Sequence, residues 1–236
     1  MRKLTLLAAM AAATALTSPA HAGSADGKWQ VKVLGTAVLA DGKIDKIKSL
    51  DTSTTLGATL ASLPSAPETK ANDNVVPTIA VEYFATPNVS IETICCLTQH
   101  HVNATSPAAI DGANLVNHVM ILPATVTLKY HLNAGPIKPY VGVGPTVFFV
   151  FDERPGSGAT AALGATRVKM SNSFGVALQG GVDVPLNQNG LGLSLDAKKY
   201  FVKPTASFYD ASGSLLLRTK HQLDPWVLSA GIAYRF

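Results

Sequence analysis

Trp226-Val227-Leu228-Ser229-Ala230-Gly231-Ile232-Ala233-Tyr234-Arg235-Phe236 ends the chain, and the way it reads decides the fold. In steps of two, Trp226, Leu228, Ala230, Ile232, Tyr234 and Phe236 share one face. That face is apolar along its length and aromatic at both ends. Val227, Ser229, Gly231, Ala233 and Arg235 share the other face, which is small or polar. A strand that touches lipid on one side and a filled or wet lumen on the other has this pattern.

The N-terminus points to the same compartment. Arg2 and Lys3 are followed by an uncharged run of apolar and small residues, Leu4 to Leu16, and then by Ser18-Pro19-Ala20-His21-Ala22. This is the layout of a secretory signal peptide over residues 1–22, cut before Gly23. The run is too short to cross roughly 30 Å of hydrocarbon at about 1.5 Å per residue. Residues 23–236 are expected to form one domain. Loss of the leader lowers the formal charge from +4 to +2. So small a surplus, without a basic run interleaved with aromatics, argues against nucleic acid as a partner. Charged residues are only 14% of the chain and hydrophobic ones 47%, yet no later segment is apolar enough for a spanning helix. In lipid the remaining option is a closed barrel. A soluble periplasmic β-protein is the alternative that composition alone leaves open.

Seven further segments alternate like the last. They lie near 28–39, 75–85, 89–97, 122–132, 138–151, 173–184 and 191–198, which brings the count to eight strands. Even strand numbers from eight upward are the rule for outer-membrane barrels. The connections also sort by length. Those at 86–88, 133–137 and 185–190 are short; those near 40–74, 99–118, 152–171 and 203–221 are long and rich in small and polar residues. Short periplasmic turns and long extracellular loops are expected on this pattern. Trp29, Tyr83, Tyr130, Tyr234 and Phe236 fall near the short-turn ends, and Phe149, Phe151, Phe201 and Trp226 near the long-loop ends. Two such levels of aromatics read as interfacial girdles.

Inside, Glu82 and Glu92 are predicted to sit close across the hairpin at 86–88, answered by Lys129 on the following strand. Gly142 and Gly144 fall on the inner face, where a narrow barrel needs small residues. Cys95 and Cys96 are adjacent on an extended strand, so their sulfurs point to opposite faces and an ordinary disulfide is out of reach.

The stretch Lys138-Pro139-Tyr140-Val141-Gly142-Val143-Gly144, the segment Gly175 to Asp183, and Leu223-Asp224-Pro225-Trp226 through Tyr234-Arg235-Phe236 together resemble the OmpW family of outer-membrane proteins. The resemblance runs over essentially the whole mature chain. It implies an eight-stranded barrel in the outer membrane of a Gram-negative bacterium, enclosing a narrow, largely hydrophobic channel for passive passage of small hydrophobic solutes. It also implies that the terminal Phe236 is read by the barrel-assembly machinery. Leu34, Phe84, Ile94 and Phe148 lie on the inward phase of their strands as candidate lumen-lining residues; the plainer alternative is that they plug the barrel as a packed core. The chain departs from the family in its long first loop, Asp41 to Asn74, which carries Lys43, Lys46 and Lys48.

No catalytic or metal site is expected. His100, His101 and His118 lie near the outer ends of strands, where a metal site would need them to meet; solvated loop histidines are the simpler reading. Ser194 and Asp196 share an inward face without a histidine to complete a hydrolase site. Gly156-Ser157-Gly158 lacks the Lys-Ser/Thr and helix of a phosphate loop. The expected function is therefore passage without enzyme chemistry or cofactor. The alternative is a structural or surface-interaction barrel with a closed lumen.

Overall fold

The computed structural model describes residues 23–24, 26–62, 68–106, 110–132 and 134–236; the predicted signal peptide, residues 1–22, lies outside them. In chain order the elements are β1 (Trp29–Leu39), β2 (Gly42–Leu50), α1 (Thr55–Ala61), β3 (Glu68–Ala71), β4 (Asn74–Phe84), β5 (Val89–Cys95), β6 (Thr98–Ser106) and β7 (Asn114–His131). They continue with β8 (Lys138–Pro155), α2 (Ser157–Leu163), β9 (Arg167–Met170), β10 (Ser173–Pro185), β11 (Leu191–Val202), β12 (Thr205–Tyr209), β13 (Leu215–Leu223) and β14 (Trp226–Arg235).

Eight of these strands close a ring. Antiparallel ladders run β1–β4–β5–β7–β8–β10–β11–β14, and β14 pairs back onto β1 from Gln30↔Arg235 to Leu39↔Trp226. Closure leaves no ladder edge for lipid to face unsatisfied. The alternation read from sequence then sorts itself. Val33, Val75, Val141, Phe174 and Ile232 are more than half exposed on the outside. An outer surface this apolar belongs in hydrocarbon rather than water. Trp29, Tyr130, Tyr234 and Phe236 form the lower aromatic girdle, and Phe149, Phe151, Phe201 and Trp226 the upper one, all exposed. Cys95 points out and Cys96 in.

The short turns are built from local chemistry. At 85–88 the Thr86 hydroxyl accepts from the backbone N–H groups of Asn88 and Val89, at 3.3 and 3.0 Å. At the end of the 186–190 turn Gly190 has φ +83°, a conformation that side-chain-bearing residues rarely adopt. The long connections differ from the sequence reading. They are not mainly irregular loops: β2, β3, β6, β9, β12, β13 and the outer parts of β7 and β8 carry the sheet well beyond the upper girdle. Pairing there ignores chain order, with β2 on β13, β3 on β6 and β12 on β9. Among the described residues β2 and β3, which continue the paired staves β1 and β4, have no ladder between them. This extension therefore has an unpaired seam there, and a second between β9 and the outer part of β8, which among the described residues also share no ladder.

Gly144 marks the tightest point of the wall. A Cβ there would lie 1.9 Å from the carbonyl oxygen of Val126 on β7. The β7–β8 ladder skips this level, from Thr125↔Thr146 to Leu128↔Val143, and Pro145 beside it has no N–H to donate. Gly144→Val should therefore cost about 3 kcal/mol or more, by forcing two backbones apart. The expected result is loss of the folded, fast-migrating band on unheated gels, with the Gly142→Ala barrel retained as a milder control.

Candidate functional site

The periplasmic half of the lumen is charged and full. The inward positions of β1, β4, β5, β7, β10 and β11 bring Lys32, Glu82, Glu92, Lys129, Asp183, Asp196 and Lys198 to one level, all buried. Glu82 and Glu92 are directly opposed across the β4–β5 hairpin. Lys129 Nζ joins them, 2.9 Å from Glu82 Oε2 and 3.0 Å from Glu92 Oε2. This is the triad read from sequence, and it is one corner of a larger layer. Lys32 Nζ lies 2.9 Å from Glu82, 3.1 Å from Glu92 and 3.3 Å from Asp183. Lys198 Nζ lies 3.1 Å from Glu92 and 2.6 Å from Asp196.

Neutral groups use up the remaining hydrogen-bonding capacity. Gln179 donates to Glu92 and Asp196, Tyr140 OH donates to Asp196 at 2.7 Å, and the Ser90 hydroxyl donates to Glu82 at 2.5 Å. The Tyr140 ring lies 3.7 Å from Lys129 Nζ, adding a cation–π contact. Burying so many charges is costly unless each is paired, and here each is. The layer fills this level of the bore with side chains.

Above it the lumen turns apolar. A cavity of about 100 Å³ is lined mainly by hydrocarbon, including Val38, Ile121, Phe148, Tyr200, Phe208 and Val227. Its polar lining is sparse: Thr98 and His100 on β6, Thr69 on β3, Thr219 and His221 on β13, and Asp41 at the seam. His100 binds the Asn72 carbonyl and the Thr98 hydroxyl, at 2.8 and 3.0 Å. His221 Nε2 lies 2.8 Å from the Thr219 hydroxyl. Burial pushes the His221 imidazole down to about 4 and lowers His100 as well, so both are neutral at physiological pH. The cavity reaches the unpaired seam, since Ala40, Asp41 and Gly42 line it from one side and Thr69 and Ala71 from the other.

The four residues singled out from sequence face the lumen at three different heights. Phe148 lines the apolar cavity, edge-on to Tyr200 with ring centroids 5.3 Å apart. Leu34 and Ile94 pack together with Ala80 and Cys96 just above the charged layer. Phe84 lies beneath that layer, 3.6 Å from the Arg235 guanidinium and 5.0 Å from the His131 ring centroid. They do not form one continuous lining. The three outer histidines do not converge: His100 faces in, His101 is exposed, and His118 lies 3.2 Å from Asp152, out of line for a hydrogen bond. Among the described residues no group of three or more His, Cys, Asp or Glu is placed to hold a metal.

A family model described as the OmpW family matches residues 25–236. The chain belongs to the OmpW family. It is 28% identical to an uncharacterized outer-membrane protein, y4mB, of Sinorhizobium fredii, over 96% of this chain and 90% of that one. It is 26% identical to outer membrane protein W of Vibrio cholerae, over 72% of this chain and 77% of that one. Its fold is similar to the crystal structure of OprG from Pseudomonas aeruginosa, with a TM-score of 0.73, 23% identity, and coverage of 91% and 98%. It is thus an outer-membrane barrel that sits in the lipid bilayer of a Gram-negative cell.

Two consequences of this OmpW-family lumen are measurable. Lys129→Met leaves Glu82 and Glu92 facing one another with one cation fewer, and should lower the unfolding free energy in detergent by roughly 3 kcal/mol. Adding Glu82→Gln should recover part of that loss, read from urea midpoints. The second consequence concerns pH. His221 takes up a proton near 6.5 when unfolded but only at about 4 when folded. Between those values the unfolded chain binds more protons, so stability should fall as pH drops through that window. His221→Gln should flatten this slope in a urea series from pH 7 to 4.

Proposed function

We propose that this barrel gives small apolar molecules a passive route through the outer leaflet, with no covalent step and no cofactor. The observation that carries this reading is an apolar cavity floored by a buried layer of ion pairs and edged by a seam without ladder hydrogen bonds. A solute would leave water for the cavity beside Phe148 and Ile121. Each buried CH₂ group contributes about 0.8 kcal/mol to that transfer. The straight path onward meets Lys32, Lys129 and their carboxylates, so release is sideways, between Ala40–Gly42 and Thr69–Ala71, into the bilayer. Phe148 serves as lining on this route. Leu34 and Ile94, packed just above the charged floor, and Phe84, beneath it, serve as packing. Before any solute is carried, the exposed Phe236 would be read by the assembly machinery; its backbone is paired with Trp29 on β1.

A second reading, a structural or surface-interaction barrel with a closed lumen, is favoured by the fullness of the charged layer. Uptake of radiolabelled octane by whole cells separates the two, because the outer leaflet of such cells retards apolar solutes. On the proposed route, cells displaying the barrel take up octane faster than cells without it. Phe148→Asp and Ile121→Asp bring the rate down at least tenfold while the heat-dependent gel shift persists. Uptake no faster than in cells lacking the barrel supports the closed lumen. Uptake that rises severalfold when the charged layer is weakened by Lys129→Met with Glu82→Gln points to a straight path instead.

A further inference from the structure

One side of the extracellular crown is basic, and among the described residues most of its cations have no carboxylate partner, Lys169 with Glu153 3.6 Å away being the exception. The strands β2, β9, β12 and β13 form a continuous sheet above the staves β1, β14, β11 and β10. They carry seven lysines and arginines and a single acid, Asp45. On the β2–β13 ladder Lys46 is directly opposite Lys220, with Lys43 opposite Gln222 and Arg218 opposite Ser49. Like charges directly opposed across strands are destabilising. None of Lys43, Lys46, Lys48, Arg218 or Lys220 has a carboxylate within salt-bridge distance among the described residues. Asp45 falls in the bulge between Ile44 and Lys46 and makes no ion pair there. The opposite side of the crown is mixed in sign: Glu68 and Lys70 share β3, and Arg154 is answered by Asp152, 3.2 Å away, on β8. The fold therefore holds a one-sided, mutually repelling group of cations that an external anion would relieve.

Height identifies the anion. Leu39 and Trp226, paired at the top of β1 and β14, are exposed at the level of the upper girdle. Lys43 lies four residues beyond Leu39 and Lys48 nine. At about 3.3 Å per residue on a strand tilted by roughly 40°, that is about 10 and 23 Å above the hydrocarbon edge. An ordinary phospholipid headgroup layer is only about 5–8 Å deep. A partner reaching these lysines from the bilayer must carry negative charge on a tall headgroup. We propose that the outward face of β2 and β13 binds the phosphate groups of a phosphorylated glycolipid in the outer leaflet.

The test uses the purified full barrel in nanodiscs and two probes: a glycolipid whose long oligosaccharide headgroup bears phosphates along its length, and the same glycolipid without them. Binding to the phosphorylated probe should be at least tenfold tighter, should weaken as salt rises, and should raise the thermal unfolding temperature. The Lys43→Gln/Lys46→Gln/Lys48→Gln/Lys220→Gln variant should lose at least tenfold in that binding. Lys220→Gln alone, measured without glycolipid, should match or exceed the unfolding temperature of the parent, because it removes the repulsion with Lys46. Equal affinity for the two probes, or full binding by the quadruple variant, would overturn the proposal. So would equal binding to phosphatidylglycerol discs, which would remove the argument from height, or binding of a soluble sulfated polysaccharide in place of the glycolipid. A Lys220→Gln barrel less stable than the parent would remove the argument from repulsion.

Discussion

Hydrocarbon offers backbone N–H and C=O groups no hydrogen-bonding partner, so the sheet has to meet its own edge, and β14 on β1 is where it does so. The rest of the structure depends on that pairing. Ten consecutive residue pairs, from Gln30↔Arg235 to Leu39↔Trp226, join the first and last staves. Strands 187 to 205 residues apart in sequence set the register of each other's side chains. Because side chains alternate with a period of two, a slip of one residue would turn Lys32 to the lipid and Val33 to the lumen. The cost of a lysine in hydrocarbon makes that slip prohibitive. The charged layer and the apolar outer wall therefore enforce the same register from opposite sides of the sheet.

Closing only eight strands leaves a bore that side chains must fill. What fills it differs along the axis. In the lower half, three lysines answer four carboxylates drawn from six strands, and Gln179, Tyr140 and Ser90 take the remaining lone pairs. Such a layer is rigid, since removing any one member strands a charge whose desolvation has already been incurred. In the upper half Val38, Phe148 and Val227 have no such geometric demands. A small void there costs little enough to persist.

The barrel itself was legible in the sequence because its staves report their environment residue by residue. Lipid on one face and lumen on the other write a period-two pattern that needs no knowledge of the partners. The Glu82–Glu92–Lys129 corner was legible too, because a tight hairpin and the next stave are neighbours in sequence as well as in space. Lys32 and Lys198 fall on the inward phase of their strands, but the carboxylate they share, Glu92, lies 60 and 106 residues away, and local pattern cannot assign such pairs. The crown was not legible. Short strands such as β3 and β9 carry too few residues to show alternation, and the bulges in β2 break it. The partner of β2 is β13 rather than a neighbour in the chain. Phe208 and Leu217 were missed as cavity residues because they lie on a segment that reads as a loop, and Val119 because it lies before the alternation at 122–132 begins.

The contrast between floor and seam also bears on which way a bound solute would move. To pass the floor, Lys32 or Lys129 would have to leave two or three carboxylates at once, at a level where both lysines are almost fully buried. The effective penalty is several kcal/mol per ion. Among the described residues there is no ladder between β2 and β3 to break, so parting them exposes apolar contacts at about 25 cal/mol per Å². Separating some 100 Å² there would cost roughly 2–3 kcal/mol. Part of that would be repaid by the solute's own surface as it fills the gap. At its lower end Asp73 accepts from the Ala40 N–H across the seam at 2.9 Å, just above the last β1–β4 pair, Val38↔Asn74. This ladder-free stretch of wall is thus beside the apolar cavity and level with the lipid boundary. On the proposed route, the stiffness of the charged floor is what turns the path aside.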